Sequence, residues 1–151
     1  MGLAIVAAME APFTLALSWE DIHRDARALA RRLAAKGRFT GIIAVARGGL
    51  VPAAILAREL DIRLVDTVCI ASYDDRCQGS VEVLKRLDGD GDGWLVVDDL
   101  VDSGATVAAV RAMLPHAHYA TLYTKPAGHP LVDTFVDEVA QDVWIVFPWE
   151  G

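Results

Sequence analysis

Short apolar runs punctuated by glycine-bearing and polar turns set the pattern of this chain. Residues 41–45, 64–72, 94–97, 118–124 and 143–147 are rich in apolar residues with little strict alternation. Such runs fit strands covered on both faces, as in a parallel sheet. Between them the period changes. Ile22, Ala26, Leu29, Ala30 and Leu33 recur at helical spacing behind Ser18, with Asp21 three residues on as a capping-box partner and Gly37 as the stop. His23 lies beside that stripe and is expected to pack. Pro52 falls in the first turn of a helix expected to reach Leu60, and a third helix through Val107, Val110 and Met113 ends at Pro115. Residues 13–17 alternate loosely and predict a short strand, while 131–139 read as a mixed excursion. Strands alternating with helices predict an α/β fold with a mostly parallel sheet.

One stretch concentrates the chemistry. Trp94-Leu95-Val96-Val97 runs straight into Asp98 and Asp99, then Leu100, Val101, Asp102 and the turn Ser103-Gly104-Ala105-Thr106. The reading is a buried strand over 94–97 with the two carboxylates at its carboxyl end, where an open α/β sheet takes its ligand. Adjacent carboxylates are costly to crowd together without a cation or hydroxyl donors, so the pair suits a polyol or a hydrated divalent ion. Backbone N–H groups and hydroxyls opening a helix suit phosphate. Polyol, metal and phosphate contacts in one row describe a sugar-phosphate site. Asp88-Gly89-Asp90-Gly91-Asp92-Gly93 matches the opening of a calcium loop, but its flanks read as strands, so a Gly/Asp turn is the better reading.

Composition narrows the classes. A length of 151 residues accommodates one domain with a substantial core, and a formal charge of −7 argues against a nonspecific nucleic-acid binder. Cys69 and Cys77 have no metal or disulfide spacing, which favours a reducing compartment. No apolar run approaches the ~20 residues of a membrane helix. No basic segment precedes the apolar residues 3–9, which argues against a secretory signal.

Val-Val-Asp-Asp-Leu-Val-Asp-Ser-Gly-Ala-Thr, residues 96–106, resembles the phosphoribosyl-diphosphate (PRPP) signature of the type I phosphoribosyltransferases. Four further stretches in matching order extend the resemblance from about Trp19 to Trp149. They are Gly41-Ile42-Ile43-Ala44-Val45-Ala46-Arg47-Gly48-Gly49-Leu50-Val51-Pro52, Val65-Asp66-Thr67-Val68-Cys69-Ile70, Lys125-Pro126-Ala127-Gly128 and Asp142-Val143-Trp144-Ile145. Together they are most similar to the bacterial xanthine-guanine branch of that family.

The resemblance implies one phosphoribosyltransferase domain over residues 13–151, with 1–12 an extra segment: a frayed tail, a subunit contact or a misassigned start. The implied fold is a mostly parallel sheet flanked by helices, with a small hood from the terminal segments over the base site. The implied reaction transfers 5-phosphoribosyl from PRPP to guanine or xanthine, with hypoxanthine a third candidate, and uses Mg2+. Arg47, Gly48 and residues Asp98, Asp99, Leu100, Val101, Asp102, Ser103, Gly104, Ala105 and Thr106 would meet PRPP, with Asp99 the metal partner. Asp102, Lys125, Trp144 and Ile145 would meet the base, Asp102 and Lys125 catalytically. Similar enzymes are dimers or tetramers, cytoplasmic or peripheral at the inner membrane, and close a loop like 73–81 over the site. The chain departs from the family pattern at Gly79, where relatives carry a basic residue and Arg76 is the candidate substitute. It also stops short of a tail that helps cover the base, so weaker base binding is expected. A PRPP-sensing regulator on the same fold is the alternative; it would need no base pocket, and Lys125 with Trp144 argues against it.

Overall fold

The structure, a computed structural model, describes residues 13–72 and 81–151. Most of the 73–81 loop, with Arg76, Cys77 and Gly79, and the whole of segment 1–12 lie outside the described residues. The described chain runs β1 (Phe13–Ala16), α1 (Trp19–Ala34), β2 (Gly41–Ala46), α2 (Leu50–Glu59), β3 (Val65–Ser72), β4 (Val81–Lys85), β5 (Trp94–Val101), α3 (Ala105–Met113), β6 (His118–Thr124), β7 (Thr134–Glu138) and β8 (Val143–Val146).

Six strands form one sheet in the order β4-β3-β2-β5-β6-β7, and every neighbouring pair is parallel except β3–β4. The continuous apolar runs are explained by burial on both faces. Ile42, Ala44, Leu95, Val97 and Leu122 pack with Ile22, Leu29 and Leu33 of α1 and Leu56 of α2. Their alternates Ile43, Val45, Val96 and Tyr119 pack with Val107 and Val110 of α3 and with Leu114 on the opposite face. A one-residue slip in β2 or β5 would therefore exchange one packed face for another. The first and last strands form a separate two-stranded parallel sheet, with Thr14 opposite Trp144 and Leu15 opposite Ile145.

Helix α1 begins as its sequence predicts: the Asp21 N–H donates to Ser18 Oγ (3.1 Å) and the Ser18 N–H to Asp21 Oδ2 (2.9 Å). That backbone hydrogen bond from Ser18 is the main reason the Asp21 carboxyl sits below its ordinary range. Inward, the Tyr123 hydroxyl donates to the buried Asp25 carboxylate, tying α1 to β6 two residues before Lys125.

Three expectations need correction. Strand β5 runs to Val101 and not to Val97, so Asp98 and Asp99 lie inside a strand; pairing with β6 through Val101↔Thr124 keeps the backbone extended past the carboxylates. The excursion at 131–139 holds β7, an edge strand whose Thr-Phe-Val-Asp-Glu shows no clean alternation. His23 is exposed, lying off the stripe that Ile22 and Ala26 bury.

Candidate active site

Strand β2 leads through α2 to β3 on one side of it, and β5 leads through α3 to β6 on the other. The two strands are neighbours whose connections diverge, which opens a crevice at their carboxyl ends. The β2–β5 ladder stops at Ala44↔Val97, whereas β5 remains paired with β6 up to Val101. Asp98 and Asp99 thus lie where β2 has turned away into Arg47-Gly48-Gly49. The Ala46–Arg47 peptide that begins the turn is cis, and Arg47 is exposed at it. Gly48 passes directly over Asp99, where a Cβ would come within 2.6 Å of a carboxylate oxygen. Only glycine lets the backbone approach this closely.

The carboxylates are held by their own backbone. Asp98 Oδ1 accepts from the Asp99 N–H at 2.8 Å, and Asp99 Oδ1 from the Leu100 N–H at 2.7 Å. Burial, and then the charge of Asp99, push the Asp98 carboxyl well above its usual range. Burial also raises Asp99, against the lowering effect of hydrogen bonds from Asp98 and the Leu100 N–H. Two crowded, desolvated carboxylates with hard oxygen donors fit a divalent cation. Among the described residues no three acidic, His or Cys side chains converge as a closed metal site.

Beyond Val101 the chain turns through Asp102 and Ser103 to Gly104, which caps α3 at φ 95°. This left-handed conformation favours glycine, and a Cβ there would also meet Leu131 Cδ1 at 2.7 Å. The Ala105 N–H donates to Ser103 Oγ (3.3 Å), and the first helical bond runs from the Ala108 N–H to the Gly104 carbonyl (2.9 Å). The opening N–H groups of a helix have no partner within it, so residues 104–106 present donors and the positive end of the helix dipole to the crevice.

A second group of side chains gathers beside this turn. Lys125 follows β6; its N–H donates to the Val101 carbonyl (2.9 Å), locking the strand end of β6 to that of β5. A lysine at this point in the chain would ordinarily be solvated, yet Lys125 is only 4% exposed. Its Nζ lies 3.2 Å from Asp102 Oδ2. The other carboxylate oxygen, Asp102 Oδ1, accepts from Gln141 Nε2 at 2.8 Å, while Gln141 Oε1 accepts from the Ala127 N–H at 3.0 Å. Gln141 was not visible as a functional candidate in the sequence; a polar residue two before an apolar run carries no signal of a partner 39 residues away. Trp144 is 62% exposed on β8 and its neighbour Ile145 only 5%. This is the alternation of a strand with one face open, and it makes Trp144 a flat apolar surface rather than core.

Two histidines at the start of β6 have partners of their own. His118 Nε2 lies 2.7 Å from Thr134 Oγ1, and burial holds its imidazole below the usual range. His116 pairs with Asp90 across the Gly/Asp turn at 3.1 Å.

Comparisons with known proteins give the family and the fold. Residues 18–150 match the model of the phosphoribosyl transferase domain. The chain is 59% identical over 138 residues to the xanthine-guanine phosphoribosyltransferase of Desulfotalea psychrophila, covering 91% of this chain and 86% of that protein. It is 62% identical over 136 residues to the protein of the same name from Nitratidesulfovibrio vulgaris (strain DP4), covering 89% and 83%. Among solved structures, the purine phosphoribosyltransferase of Pyrococcus horikoshii superposes with a TM-score of 0.78 at 30% identity, covering 91% of this chain and 95% of that one.

Proposed function

This chain belongs to the phosphoribosyl transferase family, and on that premise we propose that it is a purine-salvage enzyme, transferring 5-phosphoribosyl from PRPP to guanine or xanthine. Hypoxanthine is the third base of the reading. The observation that carries it is the meeting of three parts at one crevice: the Arg47-Gly48 turn, the Asp98–Asp99 pair running into the amides of 103–106, and the Asp102–Lys125 pair.

In this reading the opening amides of α3 and the Ser103 and Thr106 hydroxyls hold the 5′-phosphate, each hydrogen bond to the charged group contributing ~1.5–3 kcal/mol. Arg47 and the backbone at Gly48 hold the diphosphate, with Leu100 and Val101 fixing the approach of the loop. Asp98 and Asp99 orient the ribose hydroxyls, and Asp99 is the protein's contact to Mg2+. Magnesium, when bound, draws charge from the leaving diphosphate. The base lies on the face of Trp144, with main-chain groups at Ile145 meeting its 2-position. Lys125 has three N–H donors, so it can keep Asp102 and still donate to a 6-oxo group. As the bond from C1′ to the purine nitrogen forms, the bond from C1′ to the diphosphate oxygen breaks. Asp102 accepts the proton of the neighbouring imidazole nitrogen, and pyrophosphate leaves. The barrier falls through positioning and through charge stabilisation of an oxocarbenium-like sugar.

Residues 13–151 act in this reading as one domain, with the β1–β8 hood over the base. The chain works as a homodimer or homotetramer in the cytoplasm, with peripheral contact at the inner membrane as in similar enzymes; no helix among the described residues is long and apolar enough to cross a membrane.

The test is steady-state turnover of guanine, xanthine, hypoxanthine and adenine with PRPP and Mg2+. Guanine or xanthine is converted and adenine is refused, because a 6-amino group cannot accept from Lys125. Adenine turned over at a comparable rate overturns the base assignment. Tight PRPP binding without turnover of any purine identifies a sensor instead.

A further inference from the structure

We propose that Gln141 is a positioning residue for proton transfer, holding the Asp102 carboxylate turned to receive the proton of the base. The inference rests on the reading of Asp102 given above, and it starts from the amide's orientation. A backbone N–H can only donate, so the Ala127 N–H at 3.0 Å fixes which end of the Gln141 amide is oxygen. The amide nitrogen is thereby committed to Asp102 Oδ1 at 2.8 Å. The carboxylate is then gripped at both oxygens, by Lys125 Nζ on Oδ2 and by Gln141 Nε2 on Oδ1. Each oxygen keeps a second lone-pair direction for an incoming N–H.

The two grips differ in kind. Lys125 is buried at the floor of the site and carries the charge that faces Asp102. Gln141 is exposed, uncharged and anchored on the turn that follows Lys125, so it governs direction and not net charge. It also stands two residues before β8, the strand that carries Trp144. The proton acceptor, the 6-oxo donor and the flat face for the base therefore share one connected set of hydrogen bonds and backbone.

Gln141→Glu separates the two halves of this role. A glutamate keeps the side-chain length and the oxygen that the Ala127 N–H needs, but removes the donor and adds a second carboxylate beside Asp102. Both changes favour the protonated acid. Losing one hydrogen bond to a charged group corresponds to about a tenfold loss of rate or more. The expected result is a kcat for guanine or xanthine lowered about tenfold and a PRPP KM within about twofold of wild type. The acidic limb of the kcat/KM profile should also move to higher pH. Gln141→Ala, which also frees the Ala127 N–H, lowers kcat similarly with a smaller displacement of the limb, since no charge is added. Both variants keep the wild-type melting temperature, because the side chain is exposed. Wild-type kcat and an unmoved acidic limb in Gln141→Glu, with only Gln141→Ala impaired, would show that Gln141 merely braces the 125–128 turn, and would overturn the proposal. Failure of the underlying reading looks different: the wild-type protein itself then turns over no purine.

Discussion

In the proposed reading the crevice has a phosphate half and a base half, and the two are built in opposite ways. The phosphate half comes from one continuous stretch, Asp98 to Thr106, together with the Gly48 turn from the neighbouring strand, and its donors are largely backbone. The base half is collected from Asp102 after β5, Lys125 after β6, Gln141 before β8 and Trp144 within it, and apart from the main chain at Ile145 its working atoms are side chains. A backbone-built half is fixed once the strands pair. A side-chain-built half depends on residues from three separate strands reaching register, so single substitutions reach it more easily. Removing side chains in the base half should therefore damage the chemistry while sparing PRPP, and changes at the carboxylate pair should do the converse.

The largest effect is expected at Asp102. Asp102→Asn should lower kcat by ~10²–10⁴, the usual range for removing a general base, with PRPP affinity nearly unchanged. An equal loss in PRPP binding, measured by titration calorimetry, would erase the division between the halves. Trp144→Ala comes next. Stacking on an aromatic side chain contributes ~1–3 kcal/mol per base, so the KM for guanine should rise about tenfold or more and that for PRPP stay put. GMP should quench tryptophan fluorescence in the wild type and not in the variant.

How far each half could be read from the sequence follows the same line. Residues 94–106 lie together, so apolar run, carboxylates and helix-opening turn announce a phosphate and polyol site without any knowledge of the fold. Lys125 and Trp144 carry no such signal: a lysine after a strand is ordinarily solvated and a tryptophan between Val143 and Ile145 ordinarily core, so only family resemblance marks them. The structure reverses both local impressions, with Lys125 buried and Trp144 exposed. Gln141 escaped altogether because its meaning lies in Asp102 and Ala127, which only the packed β5, β6 and β8 bring to it. The sheet itself was largely legible because two-faced burial leaves continuous apolar runs. The edge strand β7, covered less completely, was not.

Smaller effects test the phosphate half. Asp99→Asn should weaken Mg2+-dependent PRPP binding by about tenfold, the scale of one lost charge-assisted contact, while binding without the metal changes little. Asp98→Asn should act on the free protein. Burial and Asp99 raise the folded-state carboxyl above its unfolded value, so below the usual carboxylate range the site costs no charge burial. As pH rises from that range toward the raised value, the unfolded chain ionises first and folding stability falls. An asparagine cannot ionise, so the variant should melt about 2–5 °C higher than wild type at neutral pH and lose that advantage in acid. Differential scanning calorimetry across pH 4–8 reads the effect; a variant that melts lower at neutral pH would mean that the buried charge is already compensated within the protein.

The contact between Gly48 and Asp99 has a consequence for how such a chain can drift. A Cβ at position 48 would lie 2.6–2.7 Å from all three atoms of the Asp99 carboxyl group, so any other residue there forces that carboxylate out of its present position. Shortening residue 99 to serine or glycine clears the space but removes the carboxylate that, in the proposed reading, meets the sugar and the metal. The two positions are thus mutually locked. In the proposed reading a single step away from the pair costs either packing or the carboxylate, and the double replacement that repairs the packing gives up the carboxylate. Selection for catalysis alone closes that route, although the two residues stand 51 positions apart in the sequence.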